Sequence, residues 1–154
     1  ERVLADCYKL DVAADGSSAS WSPAYPDAGA GAKSIPARAQ HAASVTVDRK
    51  FLFIFGGYNG EKSLNDLWLL DLGSFHLRNL GVEPPAPEAR SRHTTHIMGE
   101  TQLLHIFGGY DGGKPVAGDV YTLDVTDPAS LETEGSGDDK KKDDKKKDEE
   151  EEDA

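Results

Sequence analysis

Apolar residues in this chain gather in short runs, each bounded by glycine, proline, asparagine or aspartate. Residues 51–55 read Phe-Leu-Phe-Ile-Phe and are apolar on both alternating faces. That pattern predicts a strand held between two layers, since successive side chains of a strand point to opposite sides. Residues 41–47 and 66–72 alternate apolar with polar positions, as half-buried strands do. A glycine pair follows each strongly apolar run, Gly56-Gly57 and Gly108-Gly109. Paired glycines suit a tight bend or the close approach of another backbone. Asn59-Gly60 and Asp111-Gly112 are turn dipeptides that should reverse the chain into the next strand. No stretch keeps a 3.6-residue apolar period, and Pro84, Pro85 and Pro87 interrupt the longest connector. The predicted class is all-β.

The same pattern occurs more than once. Phe-Leu-Phe-Ile-Phe-Gly-Gly-Tyr-Asn-Gly at 51–60 returns as Leu-Leu-His-Ile-Phe-Gly-Gly-Tyr-Asp-Gly at 103–112, an offset of 52 residues without a gap. Arg38 falls on Arg90 and His41 on His93 at that offset. Further on, Asn-Asp-Leu-Trp-Leu-Leu-Asp at 65–71 matches Gly-Asp-Val-Tyr-Thr-Leu-Asp at 118–124 with an offset of 53, so one residue has been inserted after the glycine pair. A third copy of this half, Ala-Asp-Cys-Tyr-Lys-Leu-Asp, stands at 5–11. Two motifs recurring in one order define a repeat, and each unit is one supersecondary element that buries its faces on its neighbours.

Arg-x-x-His, an apolar strand ending in Phe-Gly-Gly-Tyr-(Asn/Asp)-Gly, and Asp-x-(Trp/Tyr)-x-Leu-Asp at a period near 50 together resemble the kelch repeat. The resemblance covers roughly residues 2–131. It implies a partial β-propeller made of four-stranded antiparallel kelch blades, with a disordered charged C-terminal tail. On that basis 1–24 is the C-terminal half of a blade, and 25–37 is a Pro/Gly/Ala-rich inter-blade loop. Residues 38–83 form a complete blade, 84–131 a second, nearly complete one, and 132–154 the tail. Trp21 resembles the aromatic residue that closes a kelch unit, a position held by Phe75 or His76 in the next copy. Propellers use about four to eight blades, so the expectation is an unfinished ring. The start inside a repeat favours a fragment over a ring whose remaining blades come from another chain.

Composition narrows the function classes. The 154 residues carry 28 Asp+Glu against 17 Lys+Arg, a formal charge of -11. Nucleic acid is therefore not expected as a partner, because phosphate binding starts from a basic surface. The charge is uneven: residues 132–154 contain twelve acids and six lysines, with no apolar residue except Ala154. Such a segment cannot offset its ordering entropy by burial and is expected to stay disordered. No apolar run approaches the roughly 18 residues of a membrane helix, and no membrane association is expected. The lone cysteine, Cys7, excludes an internal disulfide. The expected location is intracellular, cytoplasmic rather than nuclear.

Candidate chemistry is sparse. His41 and His93 are equivalent repeat positions, His105 replaces Phe53, and His93 and His96 lie three apart, which puts them on opposite faces of a strand. Structural histidines are expected rather than metal ligands, and no cofactor is expected. Cys7 beside Tyr8 is similar to the Cys–Tyr cofactor of copper radical oxidases, which share the kelch fold. Both residues, however, fall on strand positions held elsewhere by Leu67/Trp68 and Val120/Tyr121. The chain is read as a non-enzyme. Gly56, Gly57, Asp66, Trp68, Gly108, Gly109, Asp119 and Tyr121 are read as blade architecture. The kelch resemblance places the channel-mouth residues at Arg38, Gln40, Arg90 and Arg92 before the inner strand, and at Tyr58, Asn59, Tyr110 and Asp111 after the glycine pair. Arginine forks fit carboxylates and tyrosine gives large area with few torsions. The expected function is a protein–protein interaction module, an adaptor or scaffold. The alternatives are a fragment of a kelch-fold enzyme and a scaffold whose acidic tail binds basic proteins.

Overall fold

The computed structural model of the chain describes residues 3–27, 34–81, 85–99, 101–116 and 118–131. The tail expected at 132–154 and part of the loop expected at 25–37 lie outside them. Strands β1 (Cys7–Val12) and β2 (Ala19–Ala24) pair antiparallel, Cys7 opposite Ala24 and Val12 opposite Ala19. Strands β3 (Ala42–Val45), β4 (Phe51–Tyr58), β5 (Ser63–Asp71) and β6 (Leu77–Leu80) form a four-stranded antiparallel meander. Strands β7 (Thr94–Met98), β8 (Leu103–Phe107) and β9 (Val120–Asp124) form a three-stranded one, followed by a 3-10 turn at Pro128–Ser130. The class is all-β. Among the described residues no helix is long and apolar enough to cross a membrane.

The two-faced apolar run is sandwiched as its pattern requires. Phe53 and Phe55 join Leu67, Leu69 and Leu80 against Ile97, Leu104, Ile106 and Val125 of the next sheet. From the other face of β4, Leu52 and Ile54 pack against Trp68, Leu70 and Leu77, together with Ile35 and Phe75. Each large apolar side chain buried this way contributes about 1.5–3 kcal/mol relative to exposure. The first strands of the two larger sheets run side by side, with the Ser44 and Thr95 hydroxyls 2.8 Å apart.

Strand β4 extends beyond the apolar run to Tyr58, passing through the glycine pair by a bulge between Phe55 and Gly57. The neighbouring sheet explains the glycines. Arg90 inserts its backbone there: its N–H donates to the Leu64 carbonyl at 2.9 Å, and its carbonyl accepts from the Gly57 N–H at 2.9 Å. A Cβ on Gly56, where φ is +56°, would stand 2.7 Å from the Arg90 carbonyl oxygen and 2.9 Å from that of Leu64. One repeat earlier the same clasp recurs, the Arg38 N–H donating to the Leu4 carbonyl at 3.1 Å. On the last sheet β8 stops at Phe107, and Met98, Phe107 and Val120 are exposed. At the other end of the stack Tyr8, Trp21 and Tyr25 are exposed.

Candidate functional site

The arginines divide by position. Arg38 is buried, and its guanidinium is taken up inside the sheet. Nε donates to the Pro36 carbonyl at 3.2 Å, and Nη1 donates to the Gly56 carbonyl at 2.9 Å. A fork of 2.8 and 2.7 Å runs from Nη1 and Nη2 to the Asp66 carboxylate. The same carboxylate accepts from the Trp68 indole N–H at 2.6 Å. Burial alone would raise the Asp66 pKa, but the bonds from Arg38 and Trp68 and the Arg38 charge outweigh it and hold the group below its ordinary value. Arg90 is fully buried, donating from Nε to the Glu88 carbonyl and from Nη1 to the Gly108 carbonyl, both at 3.0 Å, with its guanidinium 5.3 Å from the Tyr121 ring centre. Both arginines, expected from the sequence at a recognition surface, instead serve as internal braces. The cause is the clasp, which draws their backbones into the preceding repeat.

Two residues further on the geometry reverses. Gln40 and Arg92 are exposed, and each holds a left-handed φ of 57°. Non-glycine residues rarely adopt that region, and such strain concentrates at special sites. The two are joined across the repeats: the Arg92 N–H donates to the Gln40 carbonyl at 2.9 Å, and Arg92 Nε donates to Gln40 Oε1 at 3.1 Å. The Arg92 guanidinium also lies 6.0 Å from the Tyr110 ring centre. Tyr58 and Tyr110 are half-buried, the Tyr58 hydroxyl donating to the Gly60 carbonyl at 2.8 Å. Asn59 and Asp111 close equivalent turns. Asn59 Oδ1 accepts the N–H groups of Glu61 and Lys62, and Asp111 Oδ1 those of Gly113 and Lys114. These last two bonds hold the Asp111 pKa below its ordinary value. The structure thus joins Gln40, Arg92 and Tyr110 directly. Sequence reasoning could not find Ser63 and Ser91, whose hydroxyls donate to the Tyr110 carbonyl at 3.3 Å, because small polar residues carry no pattern of their own.

Successive antiparallel sheets joined by this clasp carry the repeated motifs. Residues 2–145 match the KLHDC2/KLHL20/DRC7 Kelch-repeats domain. The chain belongs to the kelch-repeat family. It is similar to the flagellar outer-arm dynein alpha chain of Chlamydomonas reinhardtii, 37% identical over 92 residues, which is 60% of this chain and 2% of that protein. A Rho GTPase-activating protein of Dictyostelium discoideum is 35% identical over 91 residues, 59% of this chain and 6% of its own length. An F-box/kelch-repeat protein of Arabidopsis thaliana is 36% identical over 101 residues, 60% of this chain and 20% of its own. The chain therefore spans only a small part of each of these relatives.

The histidines differ in burial. His93 is buried, with its ring edge-on to Phe55 at 5.3 Å between centres. Burial and then the Arg90 charge push its pKa down to about 4, against a weaker opposing contact with the Phe55 carbonyl. His41 is lowered in the same way, by desolvation and by Arg38. His96 is exposed, across the strand from His105. Among the described residues no three His, Cys, Asp or Glu side chains gather as metal ligands would. Cys7 is a free, half-buried thiol on β1.

Proposed function

We propose that this kelch chain is a protein-interaction module. In this reading it holds a partner segment along the loop edge formed by Gln40, Tyr58, Asn59, Arg92, Tyr110 and Asp111, without catalysis. The observation that carries the reading is Arg92. Its guanidinium is exposed and oriented by Gln40 and Tyr110, and no described residue takes up its two Nη atoms. A planar fork held ready in this way suits a carboxylate, and the adjoining tyrosines supply apolar area at low entropic cost. The named relatives have dissimilar overall roles, yet each is similar to this chain over 91 to 101 residues. That distribution supports a module used for docking rather than for one chemistry.

The test is cross-linking capture of partners in cells that produce the full chain, compared with an Arg92→Ala/Tyr110→Ala double variant. Loss of the captured proteins with an unchanged melting temperature supports the surface. The same proteins captured at the same yield would reject it.

A further inference from the structure

Arg38 and Arg90 occupy equivalent repeat positions, and their hydrogen bonds match except for the two that Arg38 makes to the Asp66 carboxylate. Each Nε donates to the carbonyl two residues earlier, Pro36 or Glu88. Each Nη1 donates to the carbonyl of the first glycine of the pair, Gly56 or Gly108. Arg38 Nη1 and Nη2 then meet the Asp66 carboxylate, whereas Arg90 Nη2 is buried with no hydrogen-bond partner among the described residues. The repeat counterpart of Asp66 is Asp119, which is exposed. The backbone shows why they part. The hairpin keeps its register as far as Tyr110 opposite Pro115 and the 2.9 Å bond from the Val116 N–H to the Gly109 carbonyl, matching Tyr58 opposite Ser63 and Gly57 opposite Leu64. Between Val116 and Asp119 the last repeat has one residue more, and Gly118 there holds a φ of +72°. Pairing resumes at Val120 opposite Phe107, as it does at Leu67 opposite Phe55.

We propose that Arg90 Nη2 is a carboxylate-receiving site whose occupant is Asp119, forming a latch that this structure shows open. A buried guanidinium with an unmet donor is strongly disfavoured, and the step at Gly118 and Asp119, just before β9, is what would turn to close the latch. Tyr110 and Asp111 stand on the same connection, so the latch sets how firmly that loop is held. The inference depends on the Arg90 contacts and holds whatever partner binds.

Guanidinium-nitrogen NMR of the full chain reads the site without altering Arg90. Asp119→Asn should shift the Arg90 guanidinium nitrogen signals and lower the melting temperature by several degrees. Deleting Ala117, which restores the spacing of the preceding repeat, should raise the melting temperature. Arg90 signals and a melting temperature indifferent to Asp119→Asn overturn the latch.

Discussion

The main-chain N–H of Arg92 donates to the carbonyl of Gln40 at 2.9 Å, and both residues hold the same left-handed φ of 57°. Adjacent repeats thus meet at matching strained residues that carry their side chains outward. A β-branched residue tolerates this conformation poorly. Gln40→Val should cost about 1–3 kcal/mol, whereas Gln40→Gly should change stability by less than about 1 kcal/mol. Urea unfolding midpoints at constant m-value distinguish the two.

The glycine pairs look identical in sequence, but they differ in surroundings. A methyl group on Gly56 meets two backbone carbonyls within 3 Å, while one on Gly108 finds nothing within 4 Å. Both positions have positive φ, so both alanine variants carry some strain. Gly56→Ala should cost about 2–4 kcal/mol and Gly108→Ala about 1–2 kcal/mol. Thermal melts of the two variants side by side test this, and equal losses would contradict the clasp.

Asp66 braces Arg38 through two bonds and accepts a third from Trp68. Asp66→Asn leaves a buried arginine without its counter-charge and should cost about 2–4 kcal/mol. Because its folded pKa lies below the ordinary 3.8, its contribution is present above that value and is lost as the pH falls through the lower folded value. The variant should therefore lose part of the acid sensitivity below pH 3.8, measured as the melting temperature against pH.

His93 acts in a different window. Its folded pKa of about 4 lies under the ordinary 6.5, so the unfolded chain binds the proton first as the pH drops. The stability of the native protein should be level above pH 6.5, fall between 6.5 and 4, and lose nothing more from this group below 4. His93→Gln, neutral throughout, should flatten the melting-temperature curve within that interval. His41, also lowered, contributes in the same direction.

Much of the architecture was legible from residues alone. The apolar run at 51–55 has no polar face, and that dictates a strand with layers on both sides, as Phe53 and Ile54 are found. Asn59-Gly60 and Asp111-Gly112 close turns as such dipeptides do, with Gly60 and Gly112 at positive φ. The recognition residues were harder to separate. Arg38 and Gln40, like Arg90 and Arg92, are two apart in a polar stretch, and nothing local tells which side chain turns inward.

The sequence by itself determined the repeat, the strand class and the positions where the backbone must be glycine, because period-two patterning and turn chemistry are local properties. Tertiary structure alone decided which charges face water. The carbonyl of Leu64 captures the Arg90 N–H from 26 residues away, and the Asp66 carboxylate captures the Arg38 fork from 28. A single inserted residue before Asp119 separates the matching pair. Whether a guanidinium is a buried brace or an exposed fork depends on acceptors supplied by distant strands.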